Sequence, residues 1–133
     1  WIKDETFEFL EKNNLGYCCV DEPPLAKLVP FVPRIPSSVG YFRFHGRNTN
    51  WFNVPVSERY HYLYSDKELK EFVPVIESAQ LTAEKTYCFF NNCDVGYAAH
   101  NALRLKSILG IDTEITKSQT KGGKKGSQEL DLF

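Results

Sequence analysis

Residues 41–48 read YFRFHGRN, and whether this stretch is scaffold or site decides the fold. In a β-strand the side chains alternate, so Phe42 and Phe44 share one face while Tyr41, Arg43 and His45 share the other. The two phenylalanines suit a face packed beneath helices. An arginine and a histidine on the opposite face suit a ligand-bearing lumen, because a buried, unpaired guanidinium is strongly unfavourable. Arg43 is equally well read as half of a structural pair with Asp21.

On the N-terminal side, residues 25–38 carry Pro30, Pro33, Pro36, Ser37 and Ser38 without sustained periodicity, which predicts a loop. The stretch GYCCVDEPP before it predicts a strand over Tyr17–Val20, running into Asp21 and Glu22 and stopped by Pro23 and Pro24. Phe7 and Leu10, three residues apart, predict a helix from Asp4 to Asn14, closed by Gly16.

On the C-terminal side, residues 46–59 read as irregular. YSDKELKEFVPVIESA predicts a helix: Ser65 and Glu68 have capping-box spacing, and Leu69, Phe72, Val73 and Ile76 form one apolar stripe, with Pro74 as a kink or local adjustment. KTYCFFNNC predicts a third strand, apolar until Asn91 and Asn92. Ala98, Ala102, Leu105 and Leu109 predict a helix over Tyr97–Leu109, capped by Gly110.

Near-continuously apolar strands alternating with helices predict an α/β fold with a parallel sheet covered on both faces. Three strands are half an architecture at best. In open sheets and barrels alike, ligands gather at the C-terminal ends of such strands. All three ends are polar here: Asp21-Glu22, His45-Gly46-Arg47 and Asn91-Asn92.

The chain of 133 residues, 42% hydrophobic and 14% aromatic, has material for one globular core. Its formal net charge of -1 excludes a global attraction to nucleic acid or an anionic membrane, so such a contact requires a local patch. No apolar run approaches the roughly 20 residues of a spanning helix and no leader pattern is present, which predicts a soluble protein without membrane contact. The opening on Trp1 predicts that a preceding segment belongs to the natural product. Of the four cysteines, Cys18 and Cys19 are adjacent, and Cys88 and Cys93 lack CxxC spacing. Adjacent strand residues point to opposite faces, so buried reduced thiols and a cytoplasmic setting are expected.

His45 is the candidate general acid or base, with Asp21 either orienting it or neutralising Arg43. Gly46 lets a ligand approach the backbone, and Arg47 has the fork geometry for a phosphate or carboxylate. Tyr60, Tyr62 and Tyr64 alternate along RYHYLY and either line a pocket or pack its rim. Asn91 and Asn92 serve a ligand or make local turns. Glu22 is a further base or ligand if it faces the pocket. His61 reads as a surface residue and His100 as structural. No HxH or HExxH spacing occurs, so the cofactor is unknown, and a divalent metal is possible but not indicated by spacing.

RIPSSVGYFRFHGRN, the following Trp51, ERYHYLYSDKELKEF, YCFFNN and GYAAHNALRLKSILG together resemble the YecE-like family, also called the domain of unknown function 72 family. The resemblance covers residues 1–110 and implies the C-terminal half of a TIM-type (β/α)8 barrel. It places the family's strand-end residues on Asp21, His45, Gly46, Arg47, Tyr60, Tyr62, Tyr64, Asn91 and Asn92. Many relatives carry a histidine after the two asparagines, where this chain has Cys93 and then Asp94.

Residues 111–133 read as a flexible tail, with KSQTKGGKKGSQ leading to ELDLF at 129–133. The last five residues resemble the Gln-Leu-Asp-Leu-Phe peptide that docks on the bacterial sliding clamp, with Glu129 where Gln is usual. Leu130, Leu132 and Phe133 would be its anchors. Two functions follow as expectations: a hydrolase or phosphoesterase acting on a phosphate-bearing or nucleic-acid substrate, or a non-catalytic binder of an anionic ligand that docks on the clamp.

Overall fold

The computed structural model describes residues 2–111. Three parallel strands, β1 (Cys18–Asp21), β2 (Val39–Phe44) and β3 (Lys85–Phe90), form one sheet in the order β1-β2-β3. Helix α1 (Asp4–Lys12) precedes the sheet, α2 (Val56–Arg59) and α3 (Asp66–Thr82) lie between β2 and β3, and α4 (Tyr97–Ile108) follows a 3-10 turn, Asp94–Gly96. The predicted order of helices and strands is present. The addition is α2, a single turn inside the stretch read as irregular.

The register fixes the faces. Cys19, Phe42 and Cys88 are neighbours across the sheet, as are Asp21, Phe44 and Phe90; the opposite face carries the sets Cys18, Tyr41, Tyr87 and Val20, Arg43, Phe89. Phe42 and Phe44 are buried with Leu69, Phe72, Ile76 and Ala79 of α3 and Leu105 of α4. The Phe44 ring lies 4.5 Å from that of Phe72 and 4.8 Å from that of Phe90. Fully burying each of these large side chains contributes about 2–3 kcal/mol, which makes this face the scaffold. On the other face Tyr87 is 42% exposed and Phe89 47% exposed. The described residues therefore pack helices on one face and leave the second open, which corrects the expectation of a sheet covered on both sides.

Local expectations hold in kind and shift in detail. Ser65 and Glu68 form the capping box of α3, which runs through Pro74 as one helix. Helix α1 ends earlier than expected, and its left-handed residue is Asn14 (φ 50°), not Gly16. Strand β1 extends through Asp21, whose side chain thereby belongs to the buried face. Cys19 is buried and Cys88 half-buried, and burial pushes their thiols up, to about 12 and about 11. Cys93 is exposed, against the expectation for it. The terminal peptide with Leu130, Leu132 and Phe133 lies outside the described residues. Among the described residues no helix is long and apolar enough to cross a membrane.

Candidate functional site

Beyond the last strand residues the backbone ladder continues. His45 N–H donates to the Asp21 carbonyl at 2.8 Å, and Asn91 N–H donates to the Phe44 carbonyl at 2.7 Å. Both residues are thus pinned at the C-terminal edge, where their side chains meet with Asn91 Nδ2 3.0 Å from His45 Nδ1. The Tyr60 ring lies 5.7 Å from the imidazole and tilted 35° to it, while Trp51 stands edge-on to both rings. The Arg59 guanidinium covers Trp51 at 5.6 Å. Burial and the nearby Arg43 charge lower the His45 pKa, and the Asp21 charge only partly opposes them. His45 is accordingly a neutral imidazole at neutral pH.

Arg43 shares the open face with His45, two residues back along β2. Among the described residues no carboxylate comes within ion-pair distance of it. Asp21, its expected partner, faces the other way. The Asp21 carboxylate accepts from Arg47 Nε at 3.1 and 3.2 Å, from Arg47 Nη2 at 3.0 Å and from the Tyr64 hydroxyl at 2.6 Å. It neither orients the imidazole nor neutralises Arg43.

Arg47 is committed inside the molecule as well. Its Nη1 donates to Glu71 Oε2 at 2.9 Å, and its guanidinium lies 5.2 Å above the Phe72 ring. Burial works against its charge, but the hydrogen bonds to Asp21 and Glu71 outweigh burial and raise its pKa. The predicted fork onto a carboxylate exists, and it straps the end of β1 to α3. Gly46, between His45 and Arg47, has φ +92°, and a Cβ there would lie 2.6 Å from Tyr62 Cβ. The close approach that requires glycine is to Tyr62. The Gly46 N–H donates to the Tyr64 hydroxyl at 2.7 Å.

The three alternating tyrosines have three different environments. Tyr60 lies tilted beside His45. The Tyr62 hydroxyl donates to Glu68, the capping-box residue of α3. Tyr64 is buried; burial and the adjacent Asp21 charge raise its phenol well above the ordinary range, so it remains a donor. Asn92 is fully buried and its Nδ2 donates to the Tyr62 carbonyl at 2.7 Å and to Asn101 Oδ1 at 2.8 Å. Asn101 in turn accepts from the Tyr64 N–H at 3.1 Å and donates to the Tyr64 carbonyl at 2.9 Å. Tyr62, Tyr64 and Asn92 are therefore the frame behind the site, and Tyr60 and Asn91 line it.

The sequence reading missed Asn101, Glu71 and Trp51 as parts of this assembly. Asn101 carries no pattern signal, since it interrupts the apolar stripe of α4. Glu22, a candidate base, accepts the Val29 N–H at 2.7 Å and closes the following loop. His61 is exposed and bonded to Asp94, and His100 is exposed on α4. Among the described residues no group of three or more His, Cys, Asp or Glu side chains is arranged to hold a metal ion.

The site in chemical terms is a cation and a neutral imidazole on one open face, beside a ring pair and an amide. The family described as "Protein of unknown function DUF72" matches residues 1–125. The chain resembles the UPF0759 protein YunF of Bacillus subtilis, with 28% identity over 121 residues, covering 82% of this chain and 42% of that protein. A solved structure of a DUF72 family protein from Thermotoga maritima superposes with a TM-score of 0.79 at 44% identity, covering 83% of this chain and 42% of that one. One from Enterococcus faecalis gives 0.74 at 29% identity over 81% and 42%. The chain thus spans less than half the length of these relatives.

Proposed function

The chain belongs to the DUF72 family, and on that footing we propose that it forms the C-terminal part of a TIM-type (β/α)8 barrel whose pocket binds a phosphate-bearing ligand. The open sheet face would be the lumen, and the His45 end the mouth where barrel ligands sit. The observation that carries the reading is the pairing on that face of Arg43, with no carboxylate in reach among the described residues, and His45, whose Nε2 has no partner among them. An anion supplies what both groups lack: charge for the guanidinium and an acceptor for the ring nitrogen. Arg47, the obvious arginine in the sequence, is held by Asp21 and Glu71 and is not part of the ligand contact.

Phosphoester hydrolysis is the reaction this arrangement favours. Arg43 and the His45 N–H would stabilise charge on the phosphoryl oxygens, and water activation would fall to groups on the remaining strands. The free thiols of buried Cys19 and half-buried Cys88 fit a cytoplasmic setting.

Calorimetric titration of the full chain with inorganic phosphate tests the reading, alongside a turnover screen of phosphoesters and oligonucleotides. Arg43→Gln is expected to weaken phosphate about tenfold or more, equivalent to at least ~1.4 kcal/mol. Arg104→Gln, which removes only the Asp66 pair between α3 and α4, is expected to leave it unchanged. Equal affinity in wild type and Arg43→Gln would overturn the reading. Binding without turnover of any phosphoester would favour the non-catalytic alternative.

A further inference from the structure

The Asn91 amide lies against the Nδ1 edge of the His45 ring. A side-chain amide has one accepting and one donating end. Asn91 Oδ1 lies 3.9 Å from the Cys93 Sγ, within the long reach of a sulfur donor, and its Nδ2 lies 3.0 Å from His45 Nδ1. Nδ2 can only donate, so Nδ1 of the imidazole must present its lone pair, and the single proton of the neutral ring lies on Nε2. The Tyr60 ring lies 5.7 Å from the imidazole at a tilt of 35°, and Trp51 stands edge-on at 6.4 Å. The charges facing the ring are Arg43 on the same strand and Asp21 at the end of β1. The Asp21 carboxylate is already bonded to Arg47 and Tyr64, while Arg59 above Trp51 adds positive charge nearby.

We propose that Asn91 is a positioning residue that fixes His45 as the Nε2–H tautomer, so that the site meets its ligand with a hydrogen-bond donor and not with a base. This rests on the reading of His45 as a ligand-facing group. It narrows the ligand to one presenting a deprotonated, lone-pair-bearing oxygen at Nε2, as a phosphate dianion does. A hydroxyl that must donate at that point is refused.

Long-range proton–nitrogen correlation spectra of the labelled full chain, recorded above the titration of His45, read the tautomer directly. The expected result is an unprotonated Nδ1 and a protonated Nε2 for His45. Asn91→Asp places a carboxylate that requires Nδ1–H; the two nitrogens are then expected to exchange character, and the His45 pKa to rise relative to wild type. A protonated Nδ1 in the wild type overturns the proposal, as does an unchanged Nε2–H in a folded Asn91→Asp. Should that variant not fold, the wild-type spectrum decides alone. Inorganic phosphate added to the same sample separates the two claims. An Nε2–H tautomer that phosphate does not perturb sinks the ligand reading and leaves the positioning role standing. Phosphate binding to an Nδ1–H imidazole does the reverse.

Discussion

Tyr64→Phe isolates the hydrogen bonds of one hydroxyl while keeping the ring that packs among Phe44, Phe72 and Phe90. The hydroxyl has two partners, donating to Asp21 at 2.6 Å and accepting the Gly46 N–H at 2.7 Å. Its removal strands the N–H of a buried glycine, a cost of about 1–3 kcal/mol, and takes a charge-assisted bond of about 1.5–3 kcal/mol from a carboxylate that Arg47 still holds. Relief from burying the hydroxyl itself offsets part of this, leaving a net loss of about 2–3 kcal/mol. For a domain of this size that corresponds to a fall in Tm of roughly 7–13 °C. Urea unfolding of the full chain, followed by circular dichroism, should show a lower midpoint with an unchanged slope. Tyr60→Phe is the control, since that hydroxyl has no hydrogen-bond partner among the described residues; its change should stay within about 0.5 kcal/mol. Equal midpoints for the two variants would refute the claim that Tyr64 ties the end of β1 to the FHGR turn.

Other substitutions probe separate parts of the assembly. Gly46→Ala adds a Cβ that meets Tyr62 at 2.6 Å and strains a φ of +92°; a loss of about 2–4 kcal/mol in the same assay is expected. Asn101→Ala strands both backbone groups of Tyr64 and should cost about 3 kcal/mol, whereas exposed His100→Ala on the same helix should change stability little. The lowered His45 pKa destabilises the folded chain in acid: the contribution is absent above the ordinary value of 6.5 and grows as pH falls from there through the lowered folded value. Comparing the pH dependence of unfolding in wild type and His45→Gln should show a shallower decline in the variant over that window, and identical slopes would contradict the burial of the ring.

The alternation in YFRFHGRN was enough to divide scaffold from site, because a period of two is a geometric property of any strand. Phe42 and Phe44 pack under α3 and α4, and Arg43 and His45 share the other face. The strand-end residues were found for a similar reason, since the polar breaks at Asp21, His45 and Asn91 interrupt apolar runs. What the pattern could not tell was which polar group meets which. Strand β1 extends one residue further than read, and that puts the Asp21 carboxylate on the buried face, with Arg47 as its partner instead of Arg43. The glycine at 46 does mark a close approach, but the approaching group is Tyr62 and not a ligand. A lone amide in an apolar helix stripe has no periodicity, so Asn101 is not legible in the pattern; its role exists only through partners distant in sequence, the Tyr64 backbone 37 residues away and Asn92 nine residues away.

The most direct test of the central claim is a crystal structure of the chain grown in inorganic phosphate. The account predicts phosphate bridging the Arg43 guanidinium and His45 Nε2, with Asp21 still bonded to Arg47 and Tyr64. Phosphate held by Arg47 after release of Asp21, or by neither Arg43 nor His45, would contradict it.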